Sequence, residues 1–215
     1  MKNFYKEIDL SKIVEPYQNA FADWPWYEVS KCADTQQPQR CDGGLSVVSI
    51  GDMCKTCTNI PSKIAYESEE LKSKFTRLQN TYDSLWYIEE VDGEIALAAF
   101  AFRATAAQIA MERYSDVPEM YDWMSEKLGE NETVWLDEVF ANKKVQQKDN
   151  LKNFDSMNQQ FGESLAAQNV AYRTTNPAMV RAALRDFGSA AVVYDAQNEV
   201  PDRRNFITIN LEGEE

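Results

Sequence analysis

The residues with the most specific chemistry are four cysteines, Cys32, Cys41, Cys54 and Cys57, spaced C-x8-C-x12-C-x2-C. All the cysteines of the chain fall within these 26 residues. A C-x2-C pair lets two thiolates reach one metal ion from a single tight turn. A second pair completes a tetrahedral site of four sulfurs, which suits zinc. Four protein ligands leave no open coordination position, so the role expected is structural. Two disulfides are the alternative, and they fit poorly with a start, Met1 to Glu7, that lacks an apolar secretory segment, because the cytosol keeps thiols reduced. A redox C-x2-C would leave Cys32 and Cys41 without a role. Histidine is absent. Its absence removes Ser-His and Cys-His nucleophiles, histidine metal ligands and histidine acid–base catalysis together.

The cysteines lie in residues 30–63, which also hold three of the eight glycines and two of the seven prolines, with little hydrophobic periodicity. This segment reads as an insert without an apolar core of its own, which a metal would organise. The rest of the chain supplies the frame. Phe4 to Ile8 reads as a strand, followed by a helix capped at Asp9 or Ser11 and running to Phe21. After the insert, a helix is expected from Glu67 to Tyr82, with Leu71, Phe75 and Leu78 on one face. Asp92-Gly93 between two apolar runs marks a hairpin joining 84–89 to 95–102. Residues 104–128 read as helix interrupted near Pro118, 133–141 as a buried strand, and 151–167 as a helix. A strand at 170–173, a helix from Asn176-Pro177 to Gly188, and an antiparallel pair at 190–194 and 205–211 complete the series. This order implies an α/β protein with a mixed sheet covered on both faces, and a single domain spanning 1–215 with the insert inside it. The stripe Ile109, Tyr114, Met120, Trp123, Met124 and Leu128 is expected to be core or a homodimer interface.

The chain has 215 residues and a formal net charge of −13. An acidic chain is a poor partner for a phosphate backbone, so nucleic acid is not expected, although Arg203 and Arg204 form a small basic patch. No run approaches the roughly 18 apolar residues that span a bilayer. A soluble cytoplasmic protein is expected, whose acidity either keeps it in solution or attracts a cationic amine.

The segment from Trp135 to Gly188 resembles the GNAT superfamily of acyl-coenzyme A-dependent N-acyltransferases. The strand Val134 to Ala141 looks like the family's central strand. The loop Gln146-Gln147-Lys148-Asp149-Asn150-Leu151 takes the place of its glycine-bearing pyrophosphate loop, with Phe154 anchoring the helix that follows. Asn176 resembles the asparagine beside the pantetheine arm, and Arg185-Asp186-Phe187-Gly188 resembles the stretch that closes the next helix. Ala20-Phe21-Ala22-Asp23-Trp24-Pro25-Trp26-Tyr27-Glu28 resembles the acceptor-side loop after the first helix in a subgroup that carries a cysteine-rich insert at this point.

The resemblance implies acetyl transfer from acetyl-coenzyme A to an amine, on a small molecule or a protein, with no covalent intermediate. Backbone groups of Val139 and Ala141 would hold pantetheine, and residues 146–151 the pyrophosphate. Glu138 would be the base, with Glu28 the second candidate, and Trp24, Trp26 and Tyr27 would line the acceptor pocket or pack the loop onto the core. In a strict strand alternation only one of Asp137 and Glu138 faces that cleft. Asp149 and Leu151 stand where the family carries glycines, and Ala182 and Ala183 lie near the place of its acid tyrosine. The second reading is therefore a catalytically silent binding protein of the same fold, using the zinc insert as an interaction surface.

Overall fold

The computed structural model describes residues 2–22, 65–142, 145, 153–196, 199–200, 202 and 204–212. The chain enters its sheet at β1 (Lys2–Tyr5) and passes into α1 (Ser11–Ala22), where Asp9 Oδ1 accepts the Ser11 N–H at 3.0 Å. Further on comes α2 (Ser68–Thr81), whose stripe Leu71, Phe75 and Leu78 is buried as its spacing predicts. The hairpin of β2 (Ser84–Val91) and β3 (Glu94–Ala104) turns on Asp92 and Gly93, at φ of 53° and 83°. Positive φ at both positions matches the turn twist to the strand twist, which is why Asp-Gly signals it. Then follow α3 (Ala106–Tyr114), started by the Thr105–Gln108 capping box, and α4 (Glu119–Leu128).

The second half alternates: β4 (Thr133–Ala141), α5 (Phe154–Ser164), β5 (Asn169–Thr174), α6 (Pro177–Phe187), β6 (Ala191–Asp195) and β7 (Asn205–Asn210). The seven described strands form one mixed sheet in the order β1-β2-β3-β4-β5-β7-β6. β4 and β5 are the parallel neighbours, and every other neighbouring pair is antiparallel. The expected terminal pair is present, with β7 inserted between β5 and β6. One face is covered by side chains of α1 to α4, among them Ile13, Leu71, Ile109 and Met120. The other is covered by α5 and α6, through Phe154, Met157, Ala182 and Ala183. The stripe from Ile109 to Leu128 belongs to the first of these cores. Among the described residues no helix is long and apolar enough to cross a membrane.

α5 stops at Ser164, short of the Ala167 predicted for it. Ala167 N–H donates to Gly162 O at 3.0 Å and Ala166 N–H to Glu163 O at 3.3 Å, with Ala166 at φ 50°. This is a Schellman stop with alanine in the position that glycine usually takes, so the sequence carries no punctuation there.

Candidate functional site

Two irregularities in β4 create the site. The first is a bulge: Phe100 of β3 pairs with Glu138, but the next residue, Ala101, pairs with Leu136. Asp137 is therefore an extra residue without a partner on β3, and strand alternation breaks there. The expectation that Asp137 and Glu138 point to opposite faces is corrected by this bulge. Both line the same cavity, and both meet Lys74.

The second is a parting of strands. β4 and β5 pair only through Val134 with Val170 and Trp135 with Ala171, after which the ladder stops. From Leu136 onward β4 has a described ladder partner on one side only, β3. The Asp137 side chain is fully buried although the residue as a whole is only partly so, which means that its backbone is the exposed part. An open strand edge of this kind can take an extended amide chain as a further strand.

A cavity of about 500 Å³ lies where the strands part. Its walls are Leu136 to Val139 of β4, residues 172–176 at the end of β5, Tyr17 and Phe21 of α1, Lys74 of α2 and Arg113 of α3, with Tyr66, Met179 and Arg204 at its margins. α2 and α3 are tied together by Arg77, which donates to Glu112 Oε1 at 2.8 Å and reaches Oε2 at 2.7 Å, and by Tyr82, which donates to the same carboxylate at 3.0 Å. That clamp fixes the helices from which Lys74 and Arg113 project.

Lys74 Nζ donates to Glu138 Oε1 at 2.5 Å and lies 3.5 Å from Asp137 Oδ2. Asp137 also pairs with Arg113 and accepts the Trp135 indole N–H at 3.1 Å. Burial raises Glu138, but Lys74 and then Arg113 overcome this and hold its carboxyl below the ordinary value. Burial, aided by the cations Arg113 and Arg173, pulls Lys74 down to about 8 against the opposing effect of Glu138. Tyr172 packs edge-on against Phe154 of α5, and its buried hydroxyl has no hydrogen-bond partner among the described residues. Burial, then Asp186, pushes that phenol far above its usual value, so it stays protonated.

No protein-family model matches the sequence, and no curated protein matches it. Solved structures do. The polyamine N-acetyltransferase of Drosophila melanogaster is similar at 10% identity and a TM-score of 0.50, over 97% of this chain and 98% of its own. The PaiA N-acetyltransferase of Thermoplasma acidophilum, in complex with coenzyme A, is similar at 9% identity and a TM-score of 0.52, over 98% and 99% of the two chains. Arylalkylamine N-acetyltransferase 2 of Aedes aegypti reaches 11% identity and a TM-score of 0.52, over 98% and 99%.

The chain has the GNAT fold.

Within this fold, Glu138, Val139 and Asn176 come together on one cavity, whereas Ala141 lies further along β4 and is not in its wall. Asn176 Oδ1 accepts the Ala178 N–H at 2.9 Å as the cap of α6, which leaves the amide nitrogen as the donor it can offer. Ala182 and Ala183 are buried. Cys32, Cys41, Cys54, Cys57, Trp24, Trp26, Tyr27, Glu28 and residues 146–151 lie outside the described residues. Among the described residues no cluster of His, Cys, Asp or Glu could hold a metal ion. Sequence reasoning missed Lys74 and Arg113. Lys74 stands in the stripe Leu71, Lys74, Phe75, Leu78, and Arg113 follows Ala106, Ile109 and Ala110 at the same i, i+3, i+4, i+7 spacing. A cation at an apolar position of a helix stripe was the available signal. Arg204 reaches Asp202 through Nε at 2.9 Å and Nη2 at 3.0 Å and borders the cavity.

Proposed function

We propose that the protein is an acyl-coenzyme A-dependent N-acyltransferase that moves an acetyl group directly from the thioester to an amine. The parting of β4 from β5 carries this reading, because it sets a strand edge with no described partner beside a cavity that holds a buried Lys74–Glu138 pair. Three similar structures are N-acetyltransferases and one of them holds coenzyme A, which supports the same reading.

The donor's pantetheine amides pair with the open edge of β4 at Val139 and Ala141, beside Asn176. Its pyrophosphate takes residues 146–151, which run into α5. The acceptor ammonium gives a proton to neutral Lys74, which Glu138 and Asp137 hold in place. With its pKa near 8, roughly a tenth of Lys74 is neutral at pH 7. Such an amine is better matched to an ammonium than a carboxylate held below its ordinary value. The freed nitrogen attacks the carbonyl carbon, the N–C bond forms, and the C–S bond breaks with its electron pair on sulfur. The nitrogen's second proton goes to that sulfur, so the products are the amide and the free thiol. Tyr172 O–H is a hydrogen-bond donor for the charge that develops on sulfur, in the place of the family's missing acid. Glu138 is the competing base, and Glu28 the third candidate. Cys32, Cys41, Cys54 and Cys57 bind one structural zinc, a proposal that rests on their spacing.

Calorimetric titration of the zinc-loaded protein with acetyl-coenzyme A tests the reading. Micromolar binding supports it. Absence of binding at millimolar donor rejects it in favour of the silent binding protein, the reading that Asp149 and Leu151 in the pyrophosphate loop favour.

A further inference from the structure

Among the described residues, the cavity of this acidic chain is lined by more cations than anions: Lys74, Arg113, Arg173 and Arg204 face Asp137 and Glu138. Most of that charge is matched locally. Glu138 takes Lys74, Asp137 takes Arg113, and Asp202, just behind the wall, takes Arg204 through two bonds. Among the described residues Arg173 is left over. Its one described acidic contact is Asp202 Oδ2 at 3.4 Å, an oxygen that already accepts from Tyr114 Oη at 2.5 Å and Arg204 Nη2 at 3.0 Å. The guanidinium lies over the Tyr114 ring at 4.8 Å, and its side chain is only 18% exposed. A guanidinium carries a planar N–H fork, the geometry that receives a carboxylate through two parallel bonds. A half-buried guanidinium with one long contact among its described neighbours is under-paired, and a second anion would relieve it.

We infer that the acceptor is an amine that also carries a carboxylate, and that Arg173 receives the carboxylate while Lys74 faces the amine. This rests on the acyltransferase reading. A single unmatched guanidinium fits a carboxylate of one charge better than a phosphate of two. The donor's phosphates are disfavoured by side. Lys74 and Arg113 come from helices on one face of the sheet, whereas α5, which follows the candidate pyrophosphate loop, packs on the other. A purely cationic acceptor would leave Arg173 without an added anion and bring a further positive charge near it, where like charges repel.

The test uses the full chain and matched pairs that differ by the carboxylate: L-ornithine and putrescine, L-arginine and agmatine, L-lysine and cadaverine, L-tyrosine and tyramine. Binding is measured by calorimetry without donor, and acetyl transfer is measured separately with acetyl-coenzyme A. At least one carboxylated member should bind roughly tenfold or more tightly than its partner. Arg173→Gln should erase that preference, and Arg173→Lys, which keeps the charge, should restore part of it. No binding of any carboxylated member, equal or tighter binding of the decarboxylated ones, or a preference that survives Arg173→Gln overturns the assignment. Weakened acetyl-coenzyme A binding in Arg173→Gln with unchanged amino-acid binding overturns it in favour of the donor phosphates. Carboxylate preference without acetyl transfer would uphold the anion site and reject the acyltransferase reading, and acetyl transfer without that preference would do the reverse.

Discussion

Lys74 and Glu138 meet at 2.5 Å although 64 residues separate them in the chain. The bulge at Asp137 makes a three-way contact of this pair, because two consecutive carboxylates reach one ammonium from the same strand. A lysine held by two carboxylates would ordinarily be more basic than in water. Here burial, with Arg113 and Arg173 close by, wins the balance and lowers it.

The dependence of kcat on pH should therefore rise and level off above about 8 if neutral Lys74 takes the proton. Lys74→Met should flatten this profile and cut turnover by roughly 10²-fold or more. Glu138→Gln removes the anion that favours the charged lysine, so its midpoint should move to lower pH. A profile already level at pH 6, with turnover lost in Glu138→Gln, would return the role of base to Glu138. Stability provides a second readout. Folded Lys74 releases its proton near 8, and an unfolded lysine near about 10.4, so the unfolded state binds more protons across that window. The wild type should gain stability relative to Lys74→Met as pH rises through it.

Asp137→Ala should cost about 3–5 kcal/mol, because it leaves Arg113 in a buried position without its anion. Replacing the pair together, Asp137→Leu with Arg113→Met, should recover most of that loss. Denaturant unfolding of the two variants decides the matter. A loss below about 1 kcal/mol in the single variant would mean that the contact adds little to stability.

The C-terminal end of α5 makes a pair of opposite expectations. Ala166→Gly should stabilise by about 1 kcal/mol, since φ of 50° strains a residue with a Cβ. Gly162→Ala should destabilise by about 1–2 kcal/mol, because the added Cβ would lie 2.0 Å from Leu211 Cδ1 and 3.0 Å from the Ala167 carbonyl oxygen. Thermal melts that place the two variants in the reverse order would contradict both geometries.

Native and denaturing mass spectrometry should find one zinc per chain, lost when Cys54 and Cys57 are changed to serine. A metal-free chain four mass units lighter than its reduced form, with two disulfides, would reject the zinc assignment.

The elements were legible wherever local chemistry names them. Asp92-Gly93 marks the hairpin, Asn176-Pro177 opens α6, and Leu71, Phe75 and Leu78 trace the buried face of α2. The bulge was not, since an extra residue in β4 shows only when Phe100 and Ala101 are set against Glu138 and Leu136. The same limit hid most of the site. Glu138 could be singled out on its strand, but its partner stands on a helix 64 residues away, and no local pattern joins them. Arg173 owes its position to Tyr114 and Asp202, which come from opposite ends of the second half of the chain.

The sheet order carries a consequence for biosynthesis. β5 meets β4 through two residue pairs and β7 through six, so a strand made after it is its main described support. β6 leaves the ribosome before β7, yet β7 is the strand it pairs with. Arg204 and Asp202 lie just ahead of β7 and close the wall behind Arg173. A nascent chain halted before Asn205 would thus expose the edge of β5, leave β6 unpaired and hold an incomplete cavity, whatever the state of its N-terminal half. Completion of this wall waits for β7, whatever was made before it.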